Sequence, residues 1–176
     1  MNKLTFVLVA MLAMTRIGSA HHQDAKPPPE VAAMMKEMGG PLKCAGIYKL
    51  GGQDLKFTST IKAKSELGGF WIHESIDAEA GKDEPHVLSE AYMMYEPSGK
   101  KWHRVEMRDD GVLISSTGDM KDHKLELTGD VVTSEGQLVL KVSIDASNPS
   151  KGITIVGQLT FDKKTWSPYI EETCKR

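Results

Sequence analysis

The chain has 176 residues, and what it lacks narrows its activity more than what it contains. It carries no Gly-x-Ser-x-Gly elbow, no His-Glu-x-x-His pair, no P-loop and no Gly-x-Gly-x-x-Gly segment. Elbow-type hydrolysis, zincin-type proteolysis and the common modes of nucleotide binding therefore lack their signatures. Cysteine is scarce. Only Cys44 and Cys174 occur, with no Cys-x-x-Cys pair, which disfavours dithiol catalysis. Cations are not in excess, with 22 Lys and Arg against 24 Asp and Glu. That balance argues against nucleic acid, whose affinity rests on many Lys and Arg contacts to phosphate. Beyond the N-terminus no apolar run reaches the roughly 20 residues of a membrane helix, so no membrane span is expected.

What is present begins with an export signal over residues 1–20, MNKLTFVLVAMLAMTRIGSA. Lys3 supplies the positive start, residues 4–14 the apolar stretch, and Gly18-Ser19-Ala20 a small-x-small cleavage site. No cysteine follows that site, so no lipoprotein anchor is expected. The expected mature chain starts at His21 and works as a periplasmic or secreted protein. Without Lys3 and Arg16, 20 basic residues stand against 24 acidic ones, a net charge of −4. In an oxidising compartment two well-separated cysteines are expected to pair, Cys44 with Cys174.

Residues 21–42 read as a polar leader, HHQDAKPPP, followed by a short helix over 30–38. Pro29 suits its first turn, Glu30 the positive end of its dipole, and Gly39-Gly40 ends it. Val31, Met34, Met35 and Met38 fall on one side. From residue 43 the apolar period changes from 3.6 to 2. Leu55, Phe57, Ile61 and Ala63 alternate with Lys56, Thr58, Thr60 and Lys62, and the same rhythm recurs at 123–131, 137–145 and 153–162. One wet and one buried face is the pattern of antiparallel strands. Pro97-Ser98-Gly99, Asp110-Gly111 and Ser134-Glu135-Gly136 supply hairpin turns. About nine strands are predicted, near 43–50, 55–65, 69–77, 86–95, 101–108, 111–118, 122–131, 136–145 and 153–162. No helix pattern separates them, which excludes parallel crossovers. The expected fold is all-β: a single antiparallel up-and-down β-barrel over 43–176, with the short helix bracing one end. Closure is preferred to a sandwich because it leaves no exposed edge.

The string Tyr95-Glu96-Pro97-Ser98-Gly99-Lys100-Lys101-Trp102 resembles the tyrosine–acidic–proline turn, followed by lysine and an aromatic residue, of lipocalin-like (calycin-type) barrels. It is closest to that of exported bacterial members. Gly46-Ile47-Tyr48 sits where true lipocalins carry glycine-any-tryptophan, with tyrosine in place of tryptophan. The resemblance implies fold more than function. Haem-binding relatives use a histidine late in the chain, whereas the last histidine here is His123. No haem or other cofactor is expected.

A barrel of this size has an interior that side chains fill or that holds one small ligand. Ser59, Ala63, Gly129 and Gly157 share faces with large apolar residues, and Ser89, Ala91, Ser116 and Gly118 add to them. Such small residues leave room for a ligand, or else fit the taper and sharp coiling of a filled barrel; both readings stand. The candidate pocket lining is Phe57, Ile61, Phe70, Ile72, Val105, Met107, Leu125, Leu140, Val142, Ile155 and Leu159. Glu74 shares the face of Phe70, Ile72 and Ile76, where a carboxylate needs a partner; an inverted strand would instead place Trp71 and His73 inside. His21-His22, the possible meeting of His73 with His103, and the methionines near Trp102 raise metal chemistry. No metal is expected, because no ligand spacing supports one.

The expected function is binding or carriage of a small apolar molecule without catalysis. The alternatives are a barrel-fold hydrolase or isomerase with a polar cluster at the mouth, and a filled barrel acting as an envelope interaction module. Ligand identity and oligomeric state are not written in the sequence.

Overall fold

The alternating stretches become ten strands that close on themselves. The structure, a computed structural model, describes residues 26–81, 86–148 and 150–176. The expected export signal and the His21-His22 start of the leader lie outside the described residues. Helix α1 spans Pro29–Met38. It is followed by β1 Gly40–Leu50, β2 Gln53–Glu66, β3 Trp71–Glu79, β4 His86–Glu96, β5 Lys101–Arg108, β6 Leu113–Lys121, β7 Lys124–Thr133, β8 Gly136–Asp145, β9 Ile153–Thr160 and β10 Ser167–Lys175. Each strand pairs antiparallel with the next, and β10 returns to β1 to close the barrel. Among the described residues, no helix is long and apolar enough to cross a membrane.

The ten strands stand close to the expected count of about nine, and β10 is the one the predicted ranges do not include. β10 departs from simple alternation in two ways. Pro168 lies at its start, and the register shifts between Pro168 and Ile170, so that Tyr169 is an extra residue. Such a bulge breaks the period of two. In addition its inward positions include the carboxylate Glu172, 7% exposed, beside Cys174 at 0%. The turn before it is ordered by Asp162, whose carboxylate accepts from the backbone N–H groups of Lys164 and Thr165, each at 2.8 Å. Those N–H groups hold the Asp162 carboxyl at about 2.

Cys44 and Cys174 face each other across the β1–β10 seam and form the expected disulfide, 130 residues apart in sequence. Closing a loop of that length restricts the unfolded chain by about 5 kcal/mol in the chain-entropy description. The staple therefore sits where the barrel must close.

Helix α1 plugs the end of the barrel next to the disulfide. Pro29 stands in its first turn, and Gly39 ends it by donating its N–H to the Met35 carbonyl at 2.7 Å. Val31, Met34 and Met38 are buried against Leu42, Ile61, Ile72, Met93, Trp102, Leu125, Leu127 and Ile153. Trp102 is 1% exposed, and its ring meets Tyr95 at 5.3 Å across the hairpin of the lipocalin-like string. Burial of each large helix side chain contributes roughly 1.5–3 kcal/mol, which is what a ten-residue helix requires to persist. A smaller apolar cluster, Ile114, Val131 and Leu140, lies toward the other end.

At two inward glycines the small residue serves the coiling of the strands. A Cβ at Gly118 would lie 1.7 Å from the Glu126 carbonyl oxygen, and one at Gly129 would lie 1.9 Å from that of Ser115. These glycines allow β6 and β7 to approach and coil; they do not open ligand space.

Candidate functional site: a charged cavity inside the barrel

Between the two apolar clusters lies a cavity of about 130 Å³. Its aliphatic wall includes Ile61, Leu127, Leu140, Val142 and Ile155, and Met38 of the helix reaches it from below. Ala78, Ser89 and Ser116 also face it, so at these positions small residues do leave space.

The polar part of the cavity comes largely from β5. Because Trp102 points inward, the period of two carries Arg104, Glu106 and Arg108 inward after it. This corrects the expectation for Val105 and Met107. Both lie on the outer face, 38% and 44% exposed, in a row where Met107 pairs with Leu113 and Leu113 with Val132. On β5 the more hydrophobic face is the wet one. The signal that could have found this was the bulky Trp102, which fixes the face better than the average polarity of its neighbours.

Arg104 ties two strands together. Its Nε and Nη2 each lie 3.0 Å from Glu74 Oε2, and its Nη1 donates to Glu106 Oε2 at 2.6 Å. Burial works against the guanidinium charge, but Glu74 and Glu106 outweigh it and hold Arg104 more firmly protonated than an ordinary arginine. Glu74 is 2% exposed. The carboxylate on the inner face of β3 is thus a true interior residue, and its partner is an arginine the polarity pattern hid. Arg108 turns toward the rim, where Nε and Nη2 meet Asp110 at 3.2 and 2.5 Å.

Glu172 stands apart from this network. Among the described residues its one side-chain hydrogen bond is from Ser59 Oγ to Oε2, at 3.3 Å. Burial pushes its carboxyl up to about 7, with Glu106 adding to the rise and Ser59 and Arg104 opposing it. Tyr48 of β1 and Tyr169 of β10 line the same space, with ring centroids 5.5 Å apart, and Phe57 stacks on Tyr48 at 4.1 Å. Burial raises both tyrosine hydroxyls above the ordinary range; Tyr169 and Glu172 reinforce this at Tyr48, and Arg108 counters it at Tyr169.

Of the twelve residues expected to line a pocket, Ile61, Glu74, Leu140, Val142 and Ile155 do so. Phe57 is buried behind Tyr48, Ile72 and Leu125 belong to the core at the helix end, and Leu159 packs in the smaller cluster. Phe70 is a second correction. It caps the 3-10 turn Leu67–Gly69, which interrupts the chain before β3, and so lies outside the strand face on which it was counted. Sequence reading missed Arg104, Glu106, Arg108, Tyr48, Tyr169 and Glu172.

The described histidines sit on the outside, each beside a carboxylate: His73 with Glu90, His86 with Asp77, His103 with Glu96 and His123 with Glu37. His73 and His103 do not meet, because β4 runs between their strands. Met34, Met38 and Met93 fill the core under the cavity. Cys44, Cys174 and Glu172 converge within 4.8 Å, but both sulfurs are committed to the disulfide.

No family model and no curated protein matches the chain. In fold it is similar to the crystal structure of Rv2717c from M. tuberculosis, with a TM-score of 0.65 and 12% identity over 86% of this chain and 99% of that one. The likeness is one of fold alone, a closed antiparallel β-barrel.

Proposed function

We propose that the protein is an exported carrier that holds one small, largely apolar molecule inside its barrel and releases it unchanged. The observation that carries this reading is the cavity itself, about 130 Å³, with aliphatic walls and a few convergent polar groups. That combination is the usual make-up of a ligand site. Its size sets the class of ligand. An apolar cavity of about 150 Å³ takes up benzene, whereas drug-sized ligands need about 300–1,000 Å³. The ligand is therefore on the scale of a single ring or a short alkyl chain, and a haem or a fatty acyl chain exceeds the space. Its apolar surface contributes about 25 cal/mol per Å² buried, less the cost of ordering. The disulfide supports an oxidising compartment outside the cytoplasm.

Native mass spectrometry of gently purified protein, with a series of short alcohols and single-ring compounds, tests the reading. One-to-one complexes that fall away as the ligand outgrows benzene are the expected result, and no complex at any size overturns it. A second reading, catalysis, rests on Glu172, a buried carboxyl that titrates near neutrality beside a cavity. Recovery of the ligand with altered mass would favour it.

A further inference from the structure

The cavity is one cation short. Among the described residues that line it, three carboxylates, Glu74, Glu106 and Glu172, face two guanidiniums. Arg104 is committed to Glu74 and Glu106, and Arg108 to Asp110 at the rim and to the hydroxyl of Tyr169. Glu172 is left with the Ser59 hydroxyl although it is only 7% exposed. A buried carboxylate without a cation is unfavourable. The rings of Tyr48 and Tyr169 border the same space. Ring faces carry negative charge density and attract a desolvated organic cation. A carboxylate beside two such rings, over an aliphatic wall, matches a molecule with one positive nitrogen and a short apolar body.

We propose that the barrel interior takes a small organic ammonium ion, its nitrogen held by Glu172 and bordered by Tyr48 and Tyr169. The proposal rests on the reading of the interior as a ligand site and names the chemical class of that ligand. It also fixes a pH dependence. The groups facing the Glu172 carboxyl are Ser59 from β2, Tyr48 from β1, Glu106 and Arg104 from β5, and Tyr169 from β10 itself. β9 presents Ile155 to the cavity, and the neighbouring Cys44–Cys174 pair does not titrate. Glu172 is thus the group that changes charge near neutrality. An alkylammonium ion remains charged there, as lysine does.

The test is calorimetric titration of the purified protein with n-butylammonium and with 1-butanol, which has the same number of heavy atoms. At about pH 8 the wild type is expected to prefer butylammonium about tenfold, the scale of one charge-assisted hydrogen bond. At about pH 5.5 the preference shrinks, and butylammonium binding releases a proton to the buffer. Glu172→Gln is expected to bind the two ligands alike at both pH values. Butanol binding as tightly as butylammonium at about pH 8 in the wild type overturns the ammonium assignment alone, as does a preference that survives in Glu172→Gln. Failure of both ligands to bind the wild type overturns the interior site, and this assignment with it.

Discussion

The two ends of the barrel are built by the same strands and solve opposite problems. At the helix end, Trp102, Ile72, Met93 and Leu125 are all at most 1% exposed, and α1 and the disulfide close that end of the barrel. Past that layer the same strands turn Glu74, Arg104, Glu106, Arg108 and Glu172 inward around a void. β5 spans both regions, giving Trp102 to one and Arg104 to the other. Burial of apolar area stabilises the first region. The second adds little, because desolvating charges costs about what their mutual attraction returns. A protein selected only for stability would have no use for that second layer, and this is the physical reason to read it as the functional half.

The comparison breaks most visibly at Arg104. Arg104→Met leaves Glu74 and Glu106 buried without their cation, and the expected loss is about 3–5 kcal/mol in urea denaturation. Combining it with Glu74→Leu and Glu106→Leu removes the orphaned charges, and the triple variant is expected to match or exceed the wild type. If the triple variant is as unstable as the single one, the charged layer is part of the structural core, and the contrast between the two ends fails.

How far the sequence carried this picture follows the same division. Alternation exposed nine of the strands, since in most of them an apolar inner face alternates with a wet outer one, and the two cysteines left one pairing to draw. The helix was legible from Pro29, Gly39 and the spacing of Val31, Met34 and Met38. β10 was not, because Pro168, the bulge at Tyr169 and an inward Glu172 each interrupt the period of two. The same physics hid the site. Polarity patterns assume that charge faces water, so they turned β5 inside out and replaced Arg104 and Glu106 with Val105 and Met107. The cavity was beyond reach for a different reason: a void is what remains after all side chains have packed, and no local pattern records it.

A smaller effect sharpens the contrast through pH. Glu172 takes up its proton at about 7 in the folded protein, against an ordinary value of 4.5. Between those values the folded state binds more protons than the unfolded one, so stability falls as pH rises across this window. The contribution is complete below 4.5, is lost as pH passes about 7, and is on the order of 3 kcal/mol. Glu172→Gln is expected to be more stable than the wild type at about pH 8 and no more stable near pH 4.5. Parallel stability curves for the two proteins would remove Glu172 from the set of buried, cation-deficient groups.

The smallest expected effect concerns the face of β5 that polarity marked as interior. Met107 is 44% exposed, opposite Leu113 on β6, so a long charged side chain there keeps its head in water while its stem covers the neighbouring apolar surface. Met107→Lys is therefore expected to change stability by less than about 0.5 kcal/mol. The size of the change measures the assignment of faces directly. If Met107 and Val105 pointed inward, a lysine at this position would place an unpaired cation in the barrel and cost several kcal/mol. A loss on that scale would reverse β5, move Arg104 and Glu106 to the surface, and dissolve the charged half of the molecule.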